Sequence, residues 1–259
     1  MRIAVCISGQ LRNWSMGYHN QKWFWSAPNI PNCEVDYFAH TWTYSWDREG
    51  VSLPYKKRDV SKEEFDEFLK AFDIKKSILD DKPQEFFYGN DHWSGLFYSL
   101  SQSLRLKQEY ELENNFKYDV VVKTRPDVVF NPKRTFHIPR LDDGVIFTTH
   151  GGIMEMEFNM YNISDIVFLG NSYTMDLLIN LYAYRQYMLH KADKNIYNVH
   201  PLGPGTLMHE YMRDYGITPI FGMGFFETLL KEGCPENLDL FNEEDFAKME
   251  KYFQEWYTK

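Results

Sequence analysis

The chain has 259 residues, of which 44% are apolar and 17% aromatic, so it is long enough to bury a full hydrophobic core. Its net charge of −9 and its pI of about 5.4 argue against a general nucleic-acid surface or a polybasic membrane surface. No apolar run reaches transmembrane length, the three cysteines form no CxxC pair, and the first residues predict no secretory signal. We therefore expect a cytoplasmic protein with no nucleic-acid partner and no integral membrane segment.

The first part of the chain predicts strands that end in polar residues. A buried strand at 3–7 is followed by the turn Ser8-Gly-Gln-Leu-Arg12, and a helix is predicted at 14–25. In that turn, Gly9 lets a backbone approach a ligand closely, and Arg12 can bind a phosphate with two hydrogen bonds. A surface turn with an exposed Arg is the alternative.

A second predicted strand, 34–39, is followed by His40-Thr-Trp-Thr43, where His40 and Trp42 either line a ligand pocket or pack in a loop. Residues 47–60 have no periodicity and are predicted to form a charged loop. Ser61-Lys-Glu-Glu64 is a capping box that opens a helix through Phe72. The longest helical pattern, 94–114, leads into the next strand, which is the order of a βαβ unit.

The stretch Tyr118-Asp-Val-Val-Val-Lys-Thr-Arg-Pro-Asp-Val-Val-Phe130 is the strongest functional signal. Its β-branched run predicts a strand buried on both faces, and the polarity changes abruptly at Lys123. Pro126 donates no backbone hydrogen bond, so regular pairing is expected to stop there and leave Arg125 and Asp127 where a central strand ends. Ligands bind at that end of open α/β sheets. The alternative is a plain strand followed by a turn with an exposed ion pair.

The second half of the chain continues the α/β pattern. Strands are predicted at 144–149 and at 163–170, with Asp165 near the start of the latter, and Ser172 is predicted to cap the helix that follows. A helix at 206–215 carries Glu210 and leads to a last strand at 217–221. We expect one α/β domain over residues 1–221, with a mixed, mostly parallel central sheet flanked by helices. Residues 222–259 are predicted to form a helical tail that packs on it.

Three segments together resemble a known family: the start IAVCISGQLR, the second strand closing as D-x-F-x-H-x-W, and YDVVVKTRPDVVF. They look like nucleotide-sugar glycosyltransferases with a GT-A-like, Rossmann-like fold, similar to bacterial and large-virus enzymes of surface-polysaccharide biosynthesis. The resemblance covers residues 1 to about 221. It implies a UDP- or GDP-sugar donor and a glycan or other hydroxyl acceptor.

The resemblance also implies the roles of individual residues. Residues of the turn, Ser8, Gly9 and Arg12, would bind the donor, together with His40, Trp42, Lys123, Arg125 and Asp127. The Arg-Pro-Asp element resembles the family's Asp-x-Asp site, which holds a divalent cation on the donor diphosphate, but Arg125 replaces the first Asp. Asp127 would then hold Mn²⁺ or Mg²⁺ with a distant ligand, His200 first and His150 second. Alternatively, Arg125 and Lys123 neutralise the diphosphate directly and no metal is needed.

Glycosyl transfer also needs a group that accepts the proton of the acceptor hydroxyl. The resemblance points to Asp165 or Glu210 as the catalytic carboxylate, although a strand-entry turn and a helix-surface charge are the respective alternatives. Two other functions stay open. A sugar nucleotidyltransferase is one, although its first loop is normally longer and richer in Gly and Lys. A non-catalytic carbohydrate- or nucleotide-sugar-binding protein of the same fold is the other.

Overall fold

The computed structural model describes residues 1–26, 30–48, 55–81, 92–130, 138–148, 151–153, 161–163, 166–193, 204–221, 227–229 and 244. The helices are α1 (Trp14–Phe24), α2 (Lys62–Phe72), α3 (His92–Asn114), α4 (Ser172–Leu177), α5 (Leu181–Asp193) and α6 (Pro204–Asp214). The strands are β1 (Arg2–Ser8), β2 (Glu34–Trp42), β3 (Tyr44–Arg48), β4 (Tyr55–Asp59), β5 (Ile74–Asp80), β6 (Val120–Thr124), β7 (Val128–Phe130), β8 (Val145–Thr148), β9 (Gly151–Ile153), β10 (Tyr161–Ile163), β11 (Phe168–Gly170), β12 (Thr218–Phe221) and β13 (Glu227–Leu229).

A seven-stranded sheet with the order β12-β8-β11-β6-β1-β2-β5 forms the centre of the molecule. Strand β11 runs antiparallel to both of its neighbours, β8 and β6, and every other pairing in this sheet is parallel. The prediction of a mixed, mostly parallel sheet flanked by helices is confirmed. Because β6, β1, β2 and β5 are parallel, their carboxyl ends lie along one edge, which we call the carboxyl edge.

Helices cover both faces of the sheet, which explains why the strands are apolar on both sides. Helices α1 and α2 contribute residues such as Phe24 and Phe68 to one buried cluster. Helix α3 and the helices after β11 contribute residues such as Leu100 and Met208 to the other. Alternate residues of β1 and β6 fill the two clusters in turn, as the period of a strand requires. The core therefore fixes which side chains of each strand face which helix.

A buried ion cluster lies at the opposite edge, where β6 begins. The ammonium of Lys107 is 3.1 Å from Glu111 and 2.5 Å from Asp176, and it donates to Ser172 Oγ. The side chains of Lys107 and Glu111 are fully buried, whereas Lys117, which pairs with the same two carboxylates, is 58% exposed. We call these five residues the amino-edge cluster. They join α3 to α4 through ion pairs, of which the Lys107–Glu111 pair is fully buried.

Several predictions of local structure need correction. Strand β2 continues through Trp42 because His40, Thr41 and Trp42 pair with β5, an edge strand that was not predicted. The segment predicted as a charged loop, 47–60, contains β4 and the end of β3, and these two strands pair antiparallel. The cap of α4 is Asn171, whose Oδ1 accepts from Thr174 N at 2.8 Å, and Ser172 is the first helical residue.

The predicted capping box at the start of α2 is confirmed. The Ser61 side chain accepts from Glu64 N at 3.1 Å, as the capping box requires.

Most of the predicted tail, 222–259, lies outside the described residues. Its described residues 227–229 form β13, which pairs with β7. None of the helices in the described ranges combines the length and apolarity needed to cross a bilayer.

Candidate functional site

The carboxyl edge brings most of the predicted donor-binding residues together. In the register of the sheet, Ser8 of β1 pairs with His40 of β2, and Cys6 and Ile7 pair with Lys123 and Thr124 of β6. The chain leaves each of these strands toward the same side. The loop after β1 and the loop after β6 are therefore neighbours, as expected for adjacent parallel strands.

The loop after β1 is built around Gly9. Its φ of +125° lies in a backbone region that residues with a Cβ rarely adopt. Its N–H donates to the His40 carbonyl at 3.2 Å. A Cβ at this position would stand 3.9 Å from Pro126 Cδ, so this loop lies against the loop after β6. The Arg12 Nε donates to the Gln10 side chain at 2.9 Å, which holds the guanidinium beside the turn.

Arg125 and Asp127 form a two-point ion pair across Pro126. The Nε of Arg125 donates to Asp127 Oδ1 at 2.9 Å, and its Nη2 donates to Oδ2 at 2.7 Å. Only 5% of the Asp127 side chain is exposed, compared with 22% of the Arg125 side chain. Parallel N–H···O bonds of this kind fix the guanidinium in one plane. The pair is therefore a rigid, largely buried feature of the carboxyl edge rather than an exposed surface contact.

Two amide side chains of α1 hold the segment that carries this pair. Gln21 Nε2 lies 3.0, 3.2 and 2.8 Å from the carbonyl oxygens of Arg125, Pro126 and Val128. Asn20 donates to the Phe130 carbonyl at 2.9 Å and accepts from the Phe130 N–H at 2.7 Å. Both amides are fully buried. We call Asn20 and Gln21 the α1 clamp, because together they fix the backbone from Arg125 to Phe130.

The clamp was not predicted, although the sequence contains a signal for it. The buried residues of α1 are Trp14, Gly17, Asn20, Gln21 and Phe24, so the two amides lie on the same helical stripe as the core residues. A buried amide needs hydrogen-bond partners. Such a stripe therefore indicates that an irregular backbone segment packs against the helix, although it does not identify the segment.

His40 is buried in a polar and aromatic group beneath the carboxyl edge. Its Nδ1 lies 2.9 Å from Ser99 Oγ, and its Nε2 lies 3.8 Å from Asp80 Oδ2, too far for a hydrogen bond. Asp80 instead accepts from the Tyr98 hydroxyl at 3.0 Å. Burial outweighs the nearby carboxylate and lowers the pKa of His40 to about 4, so its imidazole is neutral at neutral pH.

Trp42 belongs to the same group and is 3% exposed. Its ring stacks on Tyr98, with centroids 5.7 Å apart, and meets His40 edge to face at 4.9 Å. Both His40 and Trp42 therefore pack beneath the edge in this structure, so a direct contact with a donor stays a prediction. Asp80 and Ser99 were not singled out in the sequence, because their partners lie on other elements.

Lys123 is buried at the end of β6, on the face covered by α3. Its ammonium donates to the Ile166 carbonyl at 3.1 Å and lies 5.5 Å from the centre of the Phe168 ring. The side chain is 1% exposed. Lys123 therefore adds positive charge beneath the edge and binds the segment that precedes β11.

Of the predicted catalytic carboxylates, Glu210 lies in the part of the chain that the structure describes. Glu210 forms an ion pair with Arg213 on α6, which leads into the amino end of β12. Strand β12 is three strands away from β6 in the sheet, and the catalytic role of Glu210 stays a prediction. Asp165, His150 and His200 lie outside the described residues, so their roles stay predictions.

The donor set at Asp127 does not suit a divalent cation. Both carboxylate oxygens already accept from Arg125, and the side chain is nearly inaccessible. A Mg²⁺ or Mn²⁺ ion binds carboxylate oxygens directly and would stand beside a guanidinium of the same sign. Among the residues that the structure describes, no three His, Cys, Asp or Glu side chains are grouped so that they could hold a metal ion.

Comparisons with known proteins show a similarity in the path of the chain and no similarity in sequence that identifies a family. No family model and no curated protein sequence matches this chain. Among solved structures, the chain is similar to the nucleoside-diphosphate-sugar pyrophosphorylase from Vibrio cholerae RC9. The two share 10% sequence identity over 96% of this chain and 99% of that chain, with a TM-score of 0.43. At this level of identity and superposition, the likeness assigns no function to the chain.

Proposed function

We propose that the protein is a glycosyltransferase that moves a sugar from a nucleoside-diphosphate donor to a hydroxyl acceptor, such as a glycan. One observation carries the proposal. The loops after β1 and β6 lie against one another at the carboxyl edge, and each contributes an arginine, Arg12 and Arg125. Guanidinium groups bind phosphate oxygens through paired hydrogen bonds, so two such loops suit a diphosphate.

In the proposed reaction, the residues of the carboxyl edge have distinct chemical roles. The acceptor oxygen forms a bond to the anomeric carbon, the bond from that carbon to the diphosphate breaks, and the nucleoside diphosphate leaves with its electron pair. Arg12 and Arg125 would stabilise the negative charge that develops on the leaving group. The acceptor proton goes to a general base, for which Glu210 and Asp165 are the candidates. The chain neighbour of Asp165, Ile166, receives the hydrogen bond from Lys123.

A sugar nucleotidyltransferase is the second candidate, since it also uses the carboxyl ends of parallel strands to bind a nucleotide. The short loop after β1, residues 9–13, favours the glycosyltransferase, because nucleotide transfer normally needs a longer first loop rich in Gly and Lys. The two candidates release different products. A glycosyltransferase releases a nucleoside diphosphate, whereas a nucleotidyltransferase that activates a sugar phosphate releases pyrophosphate.

A thermal-shift panel of UDP-, GDP- and CDP-sugars, followed by analysis of the released product, tests the proposal. A donor present at a hundredfold over its Kd adds about 2.7 kcal/mol to the free energy of unfolding, which gives a readily measured shift. We expect Arg12→Ala to reduce that shift. Arg2→Ala is the matched control, because Arg2 is an exposed arginine at the first residue of β1, whereas Arg12 lies in the loop after the last residue of that strand.

The outcomes separate the three functions. Release of a nucleoside diphosphate from a stabilising donor supports the glycosyltransferase. Formation of pyrophosphate from a nucleoside triphosphate and a sugar phosphate indicates the nucleotidyltransferase instead. Stabilisation without any turnover indicates a binding protein. If no nucleotide-sugar shifts the unfolding temperature, the proposed function is wrong.

A further inference from the structure

We propose that Arg125, oriented by Asp127, takes the place of a divalent cation at the carboxyl edge, so that the site binds a diphosphate without a metal ion. This inference deepens the proposed function and rests on it for the identity of the full donor. It differs from the role that the resemblance implies for Asp127, which is that of a metal ligand. Under the new assignment, Asp127 is a positioning residue for the guanidinium.

The first support is the geometry of the pair. A carboxylate that coordinates a metal must direct an oxygen lone pair at the ion. In Asp127 both oxygens face the guanidinium at 2.9 and 2.7 Å, and only 5% of the side chain can be reached from solvent. A cation at this carboxylate would first have to displace Arg125. Arg125 and Asp127 are two residues apart in the sequence, so the ion pair forms whenever the loop after β6 has its native conformation.

The second support is the rigidity of the loop. Gln21 holds the carbonyl groups on both sides of Pro126, and Val128 N–H closes the turn on the Arg125 carbonyl at 3.4 Å. A loop that cannot open keeps Asp127 facing Arg125. The guanidinium is then preorganised, which reduces the entropy lost when it binds an anion.

The third support is the chemistry of the Arg125 guanidinium itself. A guanidinium carries five N–H donors, stays charged at any physiological pH, and matches the spacing of two phosphate oxygens. Its side chain is about four times as exposed as that of Asp127 (22% against 5%), so the positive member of the pair is the one that a ligand meets. The edge thus presents a guanidinium in a fixed orientation, the group that binds phosphate oxygens through paired hydrogen bonds.

Isothermal titration of inorganic pyrophosphate into the full chain, in EDTA and then with Mn²⁺, tests this inference. We expect pyrophosphate to bind in EDTA, and Mn²⁺ to change the affinity by less than about twofold, or about 0.4 kcal/mol. Arg125→Ala should weaken binding at least tenfold. The matched control is Arg140→Ala. Arg140 also contacts an Asp two residues later, with its Nε 2.8 Å from Asp142 Oδ1, but through one hydrogen bond and with 88% of its side chain in solvent.

Two further variants keep the test decisive if Arg125→Ala unfolds because Asp127 is left buried and unpaired. The double variant Arg125→Gln/Asp127→Asn removes both charges and should fold, yet it should fail to bind pyrophosphate. Arg125→Lys keeps the charge but loses the two-point contact, and we expect weakened binding that Mn²⁺ does not restore. Unchanged binding by the double variant would overturn the proposal.

Other results would also overturn it. One is pyrophosphate binding that appears only when Mn²⁺ is present, and another is no binding of pyrophosphate in either condition. A third is binding of Mn²⁺ alone that the Asp127→Asn variant loses. The proposed function fails separately. If Arg125 binds pyrophosphate in EDTA but no nucleotide-sugar stabilises the protein, the glycosyltransferase is refuted and this inference stands. If a nucleotide-sugar binds only with Mn²⁺, the glycosyltransferase stands and this inference is wrong.

Discussion

Replacement of Asn20 by Ala tests whether the α1 clamp holds the loop that carries Arg125 and Asp127. The Asn20 side chain makes two hydrogen bonds to the backbone of Phe130, at 2.9 and 2.7 Å, and all the atoms are buried. Alanine cannot replace either bond. The N–H and the carbonyl of Phe130 would then lose this partner in a place that water does not reach.

The magnitude follows from those two lost contacts. Loss of a partner by a buried polar group costs about 1–3 kcal/mol, so Asn20→Ala should lower the free energy of unfolding by about 3 kcal/mol. For a chain of this size, that corresponds to a fall of roughly 6–12 °C in the unfolding temperature. Phe130 also stacks on Phe24, with ring centroids 4.2 Å apart, so the loss of the clamp loosens an aromatic contact in the core.

Urea unfolding followed by tryptophan fluorescence measures the change, and an unchanged slope with urea shows that the two states are otherwise comparable. Asn114→Ala is the matched control. Asn114 also donates to a backbone carbonyl, that of Tyr110 at 2.8 Å, but on an exposed helix end. We expect a change below about 0.5 kcal/mol there. Equal effects of the two substitutions, or a loss under about 1 kcal/mol for Asn20→Ala, would refute the reasoning.

Two further predictions concern buried charge. The pKa of His40 is lowered to about 4 in the folded protein, below its ordinary 6.5. As the pH falls, the unfolded chain therefore takes up a proton before the folded protein does. Between pH 6.5 and pH 4 the protein should lose about 3 kcal/mol of stability. His40→Asn should flatten that part of the pH–stability curve, whereas substitution of the exposed His190 by Gln should leave it intact. Lys107→Met should cost about 3 kcal/mol, because it leaves buried carboxylates of the amino-edge cluster short of a partner. Lys117→Met, which removes the exposed lysine of the same cluster, should cost less than about 1 kcal/mol, and equal losses in chemical denaturation would contradict this reasoning.

The carboxyl edge could be predicted because its signal is local. In β1 and β6, an apolar run of residues changes to polar residues at one point, and Pro126 marks where pairing stops. Such a change has a direct physical cause, since a strand buried on both faces tolerates few charges. The capping box at Ser61 was predictable for the same reason, because all of its parts lie within four residues.

Elements stabilised by distant partners could not be predicted in this way. Strand β5 carries two lysines and alternates weakly, and its pairing with β2 depends on residues more than thirty positions away. The α1 clamp joins residues separated by 110 positions. Strand β13 pairs with β7 across a comparable stretch of chain, from Phe130 to Glu227. A pattern within one segment shows that it needs a partner, but the partner itself is set by the tertiary fold.

The Arg-Pro-Asp element shows where these two kinds of information meet. Its sequence predicted a charged feature at the end of a central strand, and the structure contains one. Its sequence left open whether Asp127 faces a metal ion or the neighbouring Arg125, because a spacing of two residues permits both. The orientation is decided by Gln21, which holds the turn from a helix about a hundred positions earlier, and by burial of the carboxylate. A substitution that loosens Gln21 should therefore change how Asp127 and Arg125 face one another, even though it touches neither side chain.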